Sequence, residues 1–168
     1  FPNNKLLLEK GNKCSHRGPD NSTDIIIKKD FVNLFFLFHR LSINGLNDTS
    51  NQPFQFEKYT NITVMCNGEI YNYKELAKKY NIELITDSDC EIIIHLYNIL
   101  PIQEFINQLD GVFSFVIYDG NNDIVIIGHD PMGVRSLYYS QKDNYFSISS
   151  EMKCLDSFYE NNVEFFPP

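Results

Sequence analysis

The chain has 168 residues and a mass of 19.6 kDa, 43% hydrophobic and 21% charged, the proportions of one folded domain rather than a disordered chain. Its net charge of -8 argues against a nucleic-acid partner, because phosphate backbones are held by basic faces. No apolar run approaches the ~18 residues of a membrane span. The greasiest stretch, Phe31 to Phe38, is interrupted by Asn33.

The chain opens Phe1-Pro2-Asn3-Asn4, with no initiator Met and no leader pattern, and stops at Pro167-Pro168 just after Val163 to Phe166. Both ends read as edges of a longer protein. In between, Asp24 to Lys28 and Leu34 to Arg40 are short β-branched or aromatic runs bounded by polar turns, and read as strands. Ile62 to Cys66 is a third, with a turn expected at Asn67-Gly68. Helices are predicted at Tyr73 to Tyr80, Glu91 to Leu100 and Pro101 to Leu109. The second is entered by a capping box, Ser88-x-x-Glu91, and the third carries Pro in its first turn. Val112 to Tyr118 and Ile124 to Gly128 flank the hairpin loop Asp119 to Asp123. Leu137 to Ser140 and Tyr145 to Ser149 flank another polar turn. Strands, then helices, then strands predict an α+β domain with antiparallel sheets.

Cys14, Cys66, Cys90 and Cys154 form no CxxC pair, so no metal site and no disulfide scaffold is expected, and a reduced, cytoplasmic protein fits best. Asn-x-Ser/Thr triplets at Asn21, Asn47 and Asn61 are what an Asn-rich chain supplies by chance.

Several short motifs carry chemistry, each beside a plainer reading. His16-Arg17-Gly18-Pro19-Asp20 is a surface turn or the border of a site. Arg40, ending a strand, is a solvated cation or a bidentate clamp for a carboxylate. Asn67-Gly68 is a tight turn, or a pair of N–H donors for an oxyanion in acyl transfer. Asp89 sits at a helix start, where the helix dipole favours an acid, or it receives a substrate ammonium. His39, His95 and His129 read as structural.

Taken in order, these motifs resemble the glutaminase domain of asparagine synthetases, within the class II glutamine amidotransferases. The resemblance rests on His16 to Asp20, Phe38 to Ile43, Asn67 to Asn72, Ser88 to Glu91, Leu109 to Phe115, Gly128 to Arg135 and Ser150 to Lys153. It implies an α/β/β/α sandwich of two antiparallel sheets of the N-terminal nucleophile hydrolase type, with residues 1–168 forming a single glutaminase domain truncated at both ends. It also implies hydrolysis of glutamine to glutamate and ammonia. A separate C-terminal synthetase domain, absent from the chain with its ATP and Mg, would use that ammonia to amidate aspartate. The glutaminase domain itself would need no cofactor and no metal.

By the same resemblance, the Asn67 side chain and the Gly68 N–H form an oxyanion hole. Arg40 holds the glutamine α-carboxylate, the backbone of Ile43 and Asn44 shapes the pocket, and Glu69 and Asp89 hold the α-ammonium. The family's N-terminal Cys nucleophile is not among the residues given, and none of the four cysteines offers an α-amino group in its place. A catalytically silent binding or regulatory domain is therefore the alternative. His129 and Ser136 stand where the family usually has Arg and Pro. Glutamine and the synthetase domain are the expected partners, with no membrane or nucleic acid; a homodimer is left open.

Overall fold

The computed structural model describes residues 3–30, 32–155 and 163–166, so Phe31 and Pro167-Pro168 lie outside the described residues. In chain order the elements are α1 (Asn4–Gly11), a 3-10 turn (Asn12–Arg17), β1 (Asn21–Lys28), β2 (Asn33–Arg40), β3 (Ile62–Ile70) and α2 (Tyr73–Lys79). A second 3-10 turn (Asp89–Glu91) leads into α3 (Ile92–Ile99), followed by α4 (Ile102–Gln108), β4 (Gly111–Asp119) and β5 (Ile124–His129). Then come β6 (Tyr138–Lys142), β7 (Tyr145–Ser149), α5 (Met152–Leu155) and β8 (Val163–Phe165). This is an α+β chain with antiparallel sheets, as its strand and helix signals predict. It divides into two compact units, Phe1–Leu41 with Ser136–Pro168, and Ser42–Arg135.

The second unit is built on the sheet β3-β4-β5, in which β4 pairs antiparallel with both neighbours. Side chains alternate along β3. Ile62, Val64, Cys66 and Ile70 enter the core with Phe113, Phe115 and Ile117 of β4. α3 packs on β3 and is apolar nearly all round: Ile92, Ile93, Ile94 and Leu96 are fully buried. Its first five residues are enclosed, and its last turn, at Asn98 and Ile99, reaches solvent. Phe105 of α4 closes the core against Phe115, ring centroids 5.6 Å apart. The predicted hairpin loop holds: Asp119 accepts from the Asn121 and Asn122 N–H groups and so turns β4 into β5.

Two local expectations fail. The chain does not turn at Asn67-Gly68. β3 runs on to Ile70, with Asn67 opposite Ser114 and Gly68 opposite Phe113. Glycine permits this, because Gly68 has φ +151° and a Cβ there would lie 2.1 Å from the Val112 carbonyl oxygen. The turn comes at Tyr71-Asn72, where the Asn72 amide donates to the Gln108 carbonyl and its oxygen accepts the Asp110 N–H.

Nor is there a capping box at Ser88, whose side chain makes no cap hydrogen bond. Glu91 instead reaches back to the N–H groups of Ile85 and Thr86, both 2.6 Å, and to His95 Nε2 at 2.7 Å. His95 Nδ1 joins the Tyr59 hydroxyl at 2.8 Å. Burial pushes the Glu91 carboxyl upward, but His95 and the two N–H groups outweigh it and hold it below its ordinary value.

In the first unit, β1 and β2 form a hairpin in register from Asn21↔Arg40 to Lys28↔Asn33, and β6 lies between β7 and β8. α1 packs on β2 and α5, and Cys154 and Leu155 of α5 are buried. α1 begins at Asn3, whose side chain accepts the Lys5 N–H.

Candidate functional site

The β3 alternation that sends Cys66 and Ile70 into the core places Asn67 and Glu69 together on the opposite face of the sheet. Between them, Gly68 presents backbone alone. Its carbonyl accepts the Cys90 thiol at 3.5 Å, which ties β3 to the 3-10 turn that carries Asp89.

Asp89 is 5% exposed. Its Oδ2 accepts the Ile70 N–H at 2.7 Å, and its Oδ1 lies 3.4 Å from the Asn44 amide, which donates to it. The second unit therefore brings together Asn44, the end of β3 and Asp89, residues far apart in sequence. Ile43, beside Asn44, is exposed. The loop bends at Gly45, φ +62°, where a Cβ would meet Ser50 and the backbone of Asp87.

Glu69 faces a cation that sequence reasoning did not single out. Arg135 Nη2 lies 3.7 Å from Glu69 Oε1, with both side chains about one-third exposed. The Asp130 carboxylate fixes the loop that delivers Arg135. It accepts the N–H groups of Phe113, Met132, Val134 and Arg135 at 3.0–3.4 Å. Burial pushes the Asp130 carboxyl up, yet these four donors leave it below its ordinary value. Arg135 Nε is buried with no hydrogen-bond partner among the described residues. The signal was present in the sequence: Asp130-Pro131-Met132-Gly133 is a turn whose first acid can collect the N–H groups that follow it.

Register also aligns Asn67, Ser114 and His129 across the three strands, on the face that carries Glu69. His129 Nδ1 is taken by the Asp130 carbonyl at 2.7 Å. His129 was read as structural, and the strand pairing that sets it in line with Asn67 could not be read from spacing. A shallow hollow of about 440 Å³, lined by Tyr97, Asp119 and Ile126 among others, lies at the opposite end of β4 and contains none of the candidate residues. Its acid is already committed, because Asp119 accepts the Tyr97 hydroxyl at 2.7 Å and the Asn122 amide at 2.7 Å.

Arg40 belongs to the first unit. It ends β2, is 7% exposed, and is anchored through its backbone by the His16 to Asp20 motif. Its carbonyl accepts the Asp20 N–H at 3.1 Å, and a Cβ on Gly18 would lie 2.1 Å from the His39 carbonyl oxygen. The glycine in that motif is thus required by close approach of two chain segments. Arg17 turns instead toward Glu151, 3.4 Å away, and toward the Ser150 carbonyl at 3.5 Å. Among the described residues no three His, Cys, Asp or Glu side chains cluster as metal ligands, and no helix is long and apolar enough to cross a membrane.

Comparison with known proteins gives the family of the chain. The family model for the glutamine amidotransferase domain matches residues 2–165. A "Probable asparagine synthetase (glutamine-hydrolyzing)" of Acanthamoeba polyphaga mimivirus is 37% identical over 150 residues, 88% of this chain and 27% of that protein. The asparagine synthetase (glutamine-hydrolyzing) of Mesocricetus auratus is 37% identical over 158 residues, 91% of this chain and 27% of its own length. That of Homo sapiens is 38% identical over 148 residues, 85% of this chain and 25% of its own length. The chain therefore spans about a quarter of the curated relatives it matches, and over most of its length is homologous to their glutaminase region. It belongs to the glutamine amidotransferase domain family, in the company of the asparagine synthetases.

Proposed function

We propose that this domain hydrolyses glutamine to glutamate and ammonia, and that the ammonia serves ATP-dependent amidation of aspartate in a synthetase domain of the same polypeptide. The observation that carries the reading is the family match across residues 2–165, whose relatives are named as glutamine-hydrolyzing asparagine synthetases. The polar cluster of Asn44, Asp89 and the end of β3 supports it.

Free glutamine is a zwitterion. The family resemblance assigns its α-carboxylate to Arg40, whose guanidinium is a planar fork of donors. Asp89 and Glu69 offer its α-ammonium anionic oxygens, and the backbone of Ile43 and Asn44 borders the pocket. Arg135, 3.7 Å from Glu69, places a cation beside that carboxylate.

In the mechanism that the family resemblance implies, the nucleophile is a cysteine at the N-terminus of the mature protein, with its own α-amino group as base. Its sulfur bonds to the side-chain amide carbon, and the carbonyl oxygen becomes an oxyanion held by the Asn67 amide and the Gly68 N–H. Collapse expels ammonia with the transferred proton and leaves a thioester. Water then attacks that carbon, frees glutamate and restores the thiol. Held donors of this kind act by pre-positioning and cost no reorganisation as charge develops.

The test uses full-length protein, glutamine and a chloroketone glutamine analogue. Release of glutamate and ammonia in equal amounts, blocked by a single covalent adduct at an N-terminal thiol, supports hydrolysis. Glutamine binding with neither turnover nor adduct instead identifies a silent binding domain.

A further inference from the structure

The Sγ atoms of Cys14 and Cys154, 140 residues apart in sequence, lie 2.8 Å from each other. Cys14 sits in the 3-10 turn Asn12–Arg17 and is half-buried; Cys154 lies on α5 and is buried. The Gly11 carbonyl oxygen lies beside both sulfurs, 3.1 Å from Cys14 and 3.8 Å from Cys154. A disulfide requires its sulfurs at about 2.05 Å, so closing this pair needs less than an ångström of approach. Two cysteines brought together from opposite ends of the unit, sulfur against sulfur and beside one carbonyl, are more than a packing accident of small apolar side chains.

We propose that Cys14 and Cys154 form an oxidant-responsive disulfide site that peroxides close and small thiols reopen. Cys154 is the attacking sulfur. The hydrogen bond from Cys14 holds it down to about 7, against the upward push of its burial, so a large share is thiolate at neutral pH. The same hydrogen bond, with burial, pushes Cys14 up, so that it remains a thiol and a proton donor. The Cys154 thiolate attacks one oxygen of hydrogen peroxide, the O–O bond breaks, and with one proton the products are Cys154 sulfenic acid and water. The Cys14 sulfur then displaces the hydroxyl from Cys154, forming the S–S bond and releasing a second water. Two thiols are oxidised by two electrons and one peroxide is reduced to two waters.

The bond would act on a segment already stitched across the same gap. His16 and Arg17, two and three residues beyond Cys14, lie 3.7 Å and 3.4 Å from Glu151, three residues before Cys154. Gly18 then abuts the backbone of His39 and Arg40. Oxidation therefore clamps the loop that holds the end of β2. Cys66 and Cys90 serve as an internal reference: both are buried, and the Cys90 thiol is pushed well up by its hydrogen bond to Cys66 and by burial.

The experiment exposes the full-length protein to graded hydrogen peroxide, blocks remaining thiols with a maleimide in denaturant, and maps peptides by mass spectrometry. The expected product is one cross-linked peptide pair joining Cys14 to Cys154, lighter by two hydrogen atoms and reversed by dithiothreitol, with Cys66 and Cys90 still alkylated. The oxidised protein should unfold several degrees higher, a rise absent in Cys14→Ser, in which Cys154 should instead be trapped as a sulfenic acid by dimedone. Full alkylation of Cys14 and Cys154 at every peroxide dose would overturn the proposal, as would oxidation of either without the cross-link. Neither outcome depends on whether glutamine is hydrolysed.

Discussion

Asp130 and Glu151 each gather several partners, but they do so in opposite ways. Asp130, 2% exposed, accepts four backbone N–H groups, and so determines the path of residues 130–135. Glu91 and Asp89 likewise take the N–H groups of Ile85, Thr86 and Ile70, with His95 and the Asn44 amide as side-chain partners. Glu151 lies partly in solvent and pairs with Lys153, Arg17 and His16 at 2.6–3.7 Å. A buried carboxylate deprived of backbone donors, or its donors deprived of it, costs the full desolvation of the orphaned groups. An exposed ion pair exchanges its partner for water at little loss. The second unit therefore uses charge to fix backbone beside β3, whereas the Glu151 cluster joins side chain to side chain where water can compete.

The sharpest break in this contrast is steric. Gly68→Ala adds a Cβ 2.1 Å from the Val112 carbonyl oxygen at φ +151° and should destabilise the protein by about 4 kcal/mol, read as the denaturant midpoint. A loss under about 1 kcal/mol would mean that β3 and β4 are not packed as described.

Next comes Asp130→Asn, which keeps one acceptor oxygen and should cost roughly 3 kcal/mol. It carries a pH signature with a defined sign. Glu91, Asp119 and Asp130 are all held below their ordinary values in the folded chain. The unfolded chain therefore binds protons first as pH falls. Their contribution is fully present above the ordinary carboxylate range, about 4–4.5, and is lost progressively below it. Thermal melts should be flat from neutral pH to about 5 and fall steeply below 4.5, less steeply in Asp130→Asn. An equal slope in the variant would remove Asp130 from the account.

Glu91→Gln should cost about 2 kcal/mol, since the amide meets N–H donors with an NH₂ group. Nuclear magnetic resonance of the His95 ring should then show the loss of its short bond. At the small end, Glu151→Ala should move the melting point by no more than 0–1 kcal/mol allows, and that change should shrink with salt.

The same contrast explains what the sequence could reveal. Hairpin loops such as Asp119 to Asp123 declare themselves through local turn chemistry, and β7 falls at Tyr145–Ser149, the run that flanks the second polar turn. The ordered motifs were legible too, because each is a short run of unusual residues. What escaped depends on pairing across the chain. Asn-Gly carries the signature of a turn, but β4 offers it a full ladder, and tertiary pairing overrides the local preference. Ser88-x-x-Glu91 spells a capping box, but unmatched N–H groups at Ile85 and Thr86 compete for the carboxylate and win it. The Asn67, Ser114 and His129 row and the Arg135 contact with Glu69 follow from strand register, which no single run encodes.

The central claim is that Asn67, on the face of β3 turned away from the Ile62–Ile70 core side chains, stabilises an oxyanion. It is tested most directly by steady-state glutaminase kinetics of Asn67→Ala in the full-length protein, with the melting temperature as a control on folding. The account predicts kcat lower by about 10²–10³, KM for glutamine nearly unchanged and an intact melt. Full turnover in a folded variant would contradict it.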